Sequence, residues 1–141
     1  MSPNPFILSL IDDDEIYQYG FKRTVELSNF AKKVLIFSDG EEAINFLIDN
    51  IATAVALPDV IFLDINMPIM NGFEFMEEYI KLKPRVGKKI TIYMVSSSID
   101  PSDINRAKSI SELSDYIIKP VSKDRLKNII EDLEREHGLS K

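Results

Sequence analysis

Four groups of polar side chains in this sequence each follow a short apolar run. Asp12 and Asp13 follow the first run, Asp64 the third, Ser96 the fourth and Lys119 the fifth. Carboxylates held close together repel one another, and a hard divalent cation such as Mg²⁺ relieves that repulsion. A carboxylate beside such a cation can accept a phosphoryl group as an acyl phosphate, whose oxygens a lysine and a hydroxyl can bind. The residue types therefore indicate phosphoryl-transfer chemistry, provided that the fold brings these groups together.

The elements that must position these groups alternate between short apolar runs and longer stretches of helical period. The runs are rich in Ile, Val and aromatic residues, which is typical of buried strands in a parallel sheet. We predict five such strands, at Phe6–Ile11, Val34–Phe37, Val60–Leu63, Ile90–Val95 and Tyr116–Ile118.

A predicted helix follows each strand. The first spans about Glu15–Ser28, the second begins at a Ser-x-x-Glu capping box at Ser38, and the third begins at Gly72, whose backbone freedom suits the preceding turn. The last two span Asp100–Ile110 and Ser122–Glu136. Five strand–helix units favour an α/β fold with a doubly wound, five-stranded parallel sheet of flavodoxin-like order 2-1-3-4-5. Ligands bind beyond the carboxyl ends of such strands, where the polar groups are expected to converge.

Length and composition restrict the domain organisation and the partners. The 141 residues are 45% hydrophobic and 28% charged, which predicts one domain over residues 1–141 with its core at about 6–137 and no output domain. The net charge of −6 argues against nucleic-acid and membrane partners, which require a basic surface. Because the sequence has no long apolar stretch, no secretory signal and no cysteine, we predict a cytoplasmic protein.

Three motifs resemble those of the receiver domains of two-component response regulators, and the resemblance covers essentially the whole chain. Paired aspartates alone are a weak signal, but Asp-x-x-Met-Pro-x-Met-x-Gly after a third strand, with Lys-Pro after a fifth, is specific. The resemblance is to the stand-alone, chemotaxis-regulator-like type of receiver. The motifs are Ile11-Asp12-Asp13-Asp14, Leu63-Asp64-Ile65-Asn66-Met67-Pro68-Ile69-Met70-Asn71-Gly72 and Tyr116-Ile117-Ile118-Lys119-Pro120.

The resemblance implies a phosphoacceptor and a metal site. Asp64 would become a 4-aspartylphosphate, and Asp12, Asp13, Asp64 and the main-chain carbonyl of Asn66 would bind Mg²⁺. The donor would be a sensor histidine kinase or a histidine phosphotransfer protein. The protein would lose the phosphate slowly by autodephosphorylation and would not be a multiple-turnover enzyme.

The resemblance also implies how phosphorylation acts on a downstream target protein. Ser96, Tyr116 and Lys119 would bind the phosphoryl group or change conformation with it, and the bond between Lys119 and Pro120 would be cis. The surface formed by the fourth helix, fifth strand and fifth helix would then bind its target differently.

Two departures from the family pattern leave alternatives open. Ser96 stands where Thr is commoner and further serines follow, so Ser97 is the alternative switch hydroxyl. Glu112-Leu113-Ser114-Asp115 stands where the family usually carries Gly-Ala, which predicts a longer or differently shaped connection after the fourth helix. The alternative function is a receiver-like interaction module that does not switch. A haloacid dehalogenase type of phosphatase requires a second acid where Asn66 stands.

Overall fold

The computed structural model describes residues 5–138, and residues 1–4 and 139–141, at the ends of the predicted domain, lie outside the described part. Within it, strands and α-helices alternate as the sequence predicts, with single 3₁₀ turns at Ala54–Ala56 and Lys83–Arg85. The elements are β1 (Ile7–Ile11), α1 (Glu15–Leu27), β2 (Lys33–Phe37), α2 (Gly40–Asp49), β3 (Val60–Leu63), α3 (Gly72–Leu82), β4 (Thr91–Ser96), α4 (Pro101–Lys108), β5 (Leu113–Ile118) and α5 (Lys123–Glu136).

The five strands form one parallel sheet in the predicted order β2-β1-β3-β4-β5. Every residue of β1 and β3 is buried, because helices cover both faces of the sheet at these central strands. The chain crosses from one side of β1 to the other between β2 and β3, so the carboxyl ends of β1 and β3 flank the crevice where such folds bind ligands.

The helices pack in two apolar layers. On one face, α1 and α5 bury residues such as Phe21 and Leu126. On the other, α2, α3 and α4 bury residues such as Leu47, Met76 and Ala107. The predicted doubly wound architecture is thereby confirmed. None of the helices within residues 5–138 has the length and apolar character needed to cross a bilayer.

Three helices begin at the residues expected from their types. Asp14, Asp100 and Ser122 cap α1, α4 and α5, since each side chain accepts a backbone N–H from the first helical turn. The second helix begins one residue later than predicted, because Asp39 and not Ser38 is its cap.

The connection after α4 takes the second of the two expected forms, a different shape. The fourth helix ends at Lys108, the Leu113 N–H donates to Ile110 O at 3.1 Å, and β5 begins at Leu113 instead of Tyr116. The pairing between β4 and β5 shifts there, so that Ser114 is an extra residue on β5. The unusual segment is therefore accommodated as a β-bulge within a longer strand, and not as a loop.

Candidate functional site

Three carboxylates meet at the carboxyl ends of β1 and β3. Asp12, Asp13 and Asp64 each offer one oxygen, and these oxygens lie within 4.8 Å of one another. Backbone bonds continue the strands to this point, because the Asp12 N–H donates to Phe37 O and the Asp64 N–H donates to Ile11 O, both at 2.9 Å. The site is half-open: Asp12 and Asp64 are buried, whereas Asp13 is exposed.

A lysine from the end of β5 reaches the same cluster. The Lys119 N–H donates to Ser96 O at 2.9 Å, and its Nζ lies 2.7 Å from an oxygen of Asp12 and 3.6 Å from one of Asp64. The peptide bond between Lys119 and Pro120 is cis, the isomer that the resemblance implies. The convergence of these strand ends, which the sequence predicts, is thus present.

The charges of this cluster do not balance. Burial, first, and then the charges of Asp12 and Asp13 raise the pKa of Asp64. Lys119 and the Ile65 N–H offset only part of that rise, so the pKa is about 6. Burial alone would lower the pKa of Lys119, but its hydrogen bond to Asp12 and the charge of Asp64 outweigh burial, so the pKa is raised.

The donor set suits a hard divalent cation. All three side chains offer carboxylate oxygens within a few ångströms of one another, and the exposure of Asp13 leaves room for water ligands. A cation would also offset the repulsion that raises the pKa of Asp64. Asn66 is exposed in the connection that follows β3, and its carbonyl stays a predicted ligand.

The backbone of Asp64 is packed tightly against the start of α3. The Gly72 N–H donates to Ile65 O at 2.8 Å, and a Cβ on Gly72 would lie 2.3 Å from the main-chain oxygen of Asp64. Its φ is not positive, so glycine is required for space and not for the backbone freedom that the sequence indicates. The left-handed residue of this connection is Ile69, with φ of 68° and a side chain that is 73% exposed.

The serines after β4 occupy different environments. Ser96 is completely buried and its Oγ accepts the Ser98 N–H at 3.1 Å, whereas Ser97 is exposed. The hydroxyl of Ser98 donates to Asp103 at 2.8 Å, and its carbonyl accepts the Tyr116 hydroxyl at 2.8 Å. Hydrogen bonds therefore join the buried hydroxyl of β4, the aromatic residue of β5 and the first turn of α4.

Two residues of α1 that sequence reasoning missed also lie at the site. The Tyr17 ring centroid is 4.6 Å from Lys119 Nζ, and its hydroxyl accepts the Val121 N–H at 3.4 Å. Gln18 donates to the main-chain oxygen of Asp12. Neither belongs to a motif, so the only available signal is their position one turn beyond the aspartates.

The sequence matches a known family along most of its length. The profile of the response regulator receiver domain matches residues 8–131. The probable methanogenesis regulatory protein FilR2 of Methanothrix harundinacea (strain 6Ac) is 28% identical over 136 residues, which cover 96% of this chain and 85% of that protein. The transcriptional regulatory protein DegU of Brevibacillus brevis is 29% identical over 126 residues, covering 89% of this chain and 49% of DegU.

Solved structures show the same relationship. A two component response regulator from Cytophaga hutchinsonii superposes with a TM-score of 0.81 at 27% identity, covering 92% of this chain and 96% of that one. A response regulator receiver protein from Dyadobacter fermentans DSM 18053 has a TM-score of 0.76 at 30% identity, covering 92% and 95%. Fold, sequence profile and relatives agree, and the chain belongs to the response regulator receiver domain family.

Proposed function

We propose that this chain is a response regulator whose phosphoacceptor is Asp64. Receiver domains in general accept phosphate from histidine kinases and act on downstream targets. The observation that carries the assignment is the group of three carboxylates, with oxygens within 4.8 Å of one another, of which Asp12 and Asp64 lie beside the ammonium group of Lys119. A phosphoryl group adds further negative charge to this cluster, so it binds there only beside additional positive charge. Phosphoryl transfer has the same requirement.

Among the three acids, Asp64 is the best nucleophile. Asp12 is 1% exposed, accepts the Asp14 N–H with one oxygen and holds the other 2.7 Å from Lys119 Nζ, so it forms the closer ion pair with the lysine. Asp13 is exposed, and no side chain or backbone group within residues 5–138 orients its carboxylate by a hydrogen bond. Asp64 has one oxygen fixed by the Ile65 N–H at 2.9 Å and the other 3.6 Å from Lys119, in a raised-pKa environment that increases basicity.

In the proposed transfer, an ionised oxygen of Asp64 attacks the phosphorus of a phosphohistidine. The new bond is a carboxylate O–P bond, the P–N bond to the imidazole breaks, and its electron pair stays on the imidazole nitrogen, which takes up a proton. Lys119 binds a phosphoryl oxygen with its ammonium group. The product is an acyl phosphate on Asp64, and its hydrolysis restores the carboxylate.

The carboxylates of Asp12, Asp13 and Asp64, with the main-chain carbonyl of Asn66, are proposed to hold Mg²⁺. When bound, this cation supplies positive charge that neutralises the transferring group. The chain's own contribution is to hold the carboxylates at the strand ends, with Gly72 packed on the Asp64 backbone.

We propose that Ser96 is the switch hydroxyl and Tyr116 the switch aromatic. A Ser96 hydroxyl that turns to donate to a phosphoryl oxygen would alter its contact with the Ser98 N–H, and that contact lies in the network that includes Tyr116 and α4. The output would then be a change at the surface of α4, β5 and α5. Ser96 is favoured over Ser97 because it is buried beside the Lys119 backbone.

The partners follow from this chemistry. The donor is proposed to be a sensor histidine kinase or a histidine phosphotransfer protein, and the recipient a downstream target protein. We also propose that the chain is not a multiple-turnover enzyme, so that it should not hydrolyse small phosphoesters repeatedly. The single-domain organisation over residues 1–141 and the cytoplasmic location stay predictions of the sequence.

The direct test is mass spectrometry after incubation with Mg²⁺ and acetyl phosphate. Wild-type protein is expected to gain one base-labile phosphate, and Asp64→Asn none. Asp49→Asn, which changes an exposed aspartate at the end of α2, is the matched control and should be phosphorylated normally. Absence of phosphate on folded wild-type protein would reject the proposal.

One observation favours the alternative of a module that does not switch. The bonds among Tyr116, Ser98 and Asp103 already join β5 to the start of α4. Amide spectra with and without beryllofluoride, a phosphoryl mimic, separate the two functions. A switch should shift the amides of α4, β5 and α5, whereas a constitutive module should leave them unchanged when beryllofluoride is bound at Asp64.

A further inference from the structure

Tyr17, in the first turn of α1, contacts Lys119, the lysine proposed to bind the phosphoryl group. Its ring centroid lies 4.6 Å from Lys119 Nζ, and its hydroxyl accepts the Val121 N–H at 3.4 Å. We propose that Tyr17 is a positioning residue that holds the Lys119 ammonium in place for the phosphoryl group. The inference rests on the proposed function, because it gives Lys119 the role of binding the phosphoryl oxygens.

A lysine needs such support because its side chain has four rotatable bonds and a strongly hydrated head group. The side chain of Lys119 is 18% exposed, and the charged neighbours of its ammonium group are Asp12 and Asp64. A tyrosine ring attracts an ammonium through the negative face of its π-system, more strongly where water is partly excluded. Tyr17 is half-buried, so this condition is met.

The ring differs from the carboxylates in one decisive respect. Asp12 and Asp64 are also the proposed ligands of Mg²⁺, so a bound cation shares their charge and weakens their attraction for Lys119. The neutral ring of Tyr17 binds no cation at the metal position. The attraction between the Tyr17 ring and the Lys119 ammonium therefore persists in the Mg²⁺-bound state, in which phosphoryl transfer takes place.

The local structure keeps the ring in place. Asp14 caps α1 by accepting the N–H groups of Ile16 and Tyr17, at 2.9 and 3.2 Å, which fixes the first turn of the helix. The tyrosine hydroxyl contacts the backbone two residues beyond Lys119. One side chain thereby contacts both the head group of the lysine and the backbone that carries it.

The test is the affinity for beryllofluoride at saturating Mg²⁺, measured by amide shifts in NMR titrations. Tyr17→Leu is expected to weaken binding about three- to tenfold, because it removes the ring. Tyr17→Phe keeps the ring and is expected to bind within about twofold of wild type. Tyr19→Leu is the matched control, since Tyr19 is 67% exposed on the same helix, and it should bind as wild type does.

Two further measurements separate positioning from general structure. Mg²⁺ affinity, measured by calorimetry without beryllofluoride, should be the same in all variants, because Tyr17 is not among the proposed ligands of the cation. Pentafluorophenylalanine at position 17 preserves the ring shape but reverses its charge distribution, so it should weaken beryllofluoride binding relative to Tyr17→Phe. This comparison remains informative if Tyr17→Leu is poorly folded.

Equal beryllofluoride affinity in wild type and Tyr17→Leu would overturn the inference. Equal affinity of the Phe and pentafluorophenylalanine proteins would also overturn it, since the ring would then act by shape alone. Wild-type protein that binds neither Mg²⁺ nor beryllofluoride would instead reject the proposed function of the site. The two failures are therefore distinguishable.

Discussion

The two ends of the sheet both bury a carboxylate beside a lysine, but they balance charge differently. At the amino ends of the strands, Asp59 accepts the Ile7 N–H at 2.8 Å and lies 3.2 Å from Lys88 Nζ, which also donates to Leu57 O. At the carboxyl ends, Asp12 and Asp64 share Lys119, and Asp13 lies in the same cluster of carboxylates. One acid with one base forms a satisfied structural pair, whereas excess acids beside one base leave negative charge available for ligand chemistry.

The amino-terminal pair also connects three strands. The Asp59 N–H donates to Ile7 O at 2.8 Å, its carbonyl accepts the Thr91 N–H at 2.9 Å, and its side chain bonds β1 a second time. Each carboxylate residue of the carboxyl-terminal cluster forms fewer hydrogen bonds to neighbouring strands than Asp59 does. Stability and function are therefore concentrated at opposite ends of the same strands. Replacing a carboxylate should destabilise the protein at the amino end, and replacing Asp64 should stabilise the metal-free protein at the carboxyl end.

The largest expected effect is at the stabilising end. Asp59→Ala should destabilise the protein by about 3 kcal/mol, because it leaves Lys88 and the buried Ile7 N–H without their partner. Urea denaturation of the variant measures this loss, with Asp49→Ala as an exposed control. A change below about 0.5 kcal/mol, which is typical of surface substitutions, would remove the contrast between the two ends.

Gly72→Ala tests whether the carboxyl-terminal end is closely packed despite its unbalanced charge. The new Cβ would lie 2.3 Å from Asp64 O, so backbone must move, and we expect a loss of about 2 kcal/mol together with weaker Mg²⁺ binding. Gly20→Ala is the control, because nothing lies within 4 Å of its Cβ position within α1. It should stabilise the protein by about 0.5 to 1 kcal/mol. Equal effects of the two would contradict the packing argument.

Asp64→Asn should stabilise the protein without Mg²⁺ at pH 7 to 8, by about 1 to 2 kcal/mol. The pKa of Asp64 rises from 3.8 to about 6 on folding, so the folded state binds the proton more tightly. The destabilisation caused by ionised Asp64 is absent below about pH 4, grows as the pH rises to about 6 and is then constant. The full shift corresponds to at most about 3 kcal/mol, which solvent screening reduces.

Thermal unfolding of wild type and Asp64→Asn measures this dependence. A range of about pH 3.5 to 8 includes both the unfolded and the folded pKa of Asp64. The difference between them should vanish at the acidic limit. With Mg²⁺ its sign should reverse, since Mg²⁺ stabilises only the folded wild-type site. A variant less stable than wild type at pH 8 without Mg²⁺ would show that Asp64 is structurally paired, as Asp59 is.

The smallest expected effect concerns backbone strain beside the site. Ile69 has φ of 68°, a conformation that a β-branched residue adopts at a cost, and its exposed side chain recovers little by packing. Ile69→Asn should stabilise the protein by about 0.5 to 1 kcal/mol, because Asn tolerates this region. Ile99→Asn changes an equally exposed isoleucine without positive φ and should be neutral. Identical midpoints for the two variants would argue against strain.

The sequence was sufficient to predict the sheet order and the convergence of the charged residues. Both depend on the alternation of strands and helices, and in an open parallel sheet that alternation also determines which strand ends meet. The placement of Asp12, Asp64 and Lys119 follows directly from their positions just after apolar runs. Their individual roles are chemical assignments that the experiments above must decide.

Details that depend on tertiary contacts were not predictable. Ser38 and Asp39 are both good caps, and Asp39 is the one that caps α2, next to Gly40, whose N–H donates to Met70 O in the connection before α3. The bulge at Ser114 depends on the pairing of β5 with β4. The contact of Tyr17 with Lys119 depends on how α1 is rotated against the sheet, which helical periodicity does not specify.

The close contact between Gly72 and the backbone of Asp64 also determines in which direction the site is stiff. Toward α3 the atoms already touch, so that side yields little to a displacement of Asp64. Toward α4 the connection is made by individual hydrogen bonds of Ser98, which can break and re-form at low cost. A displacement of Asp64 is therefore opposed more strongly on the α3 side than on the α4 side. We therefore expect a displacement at this end of the sheet to be accommodated on the α4 side more readily than on the α3 side.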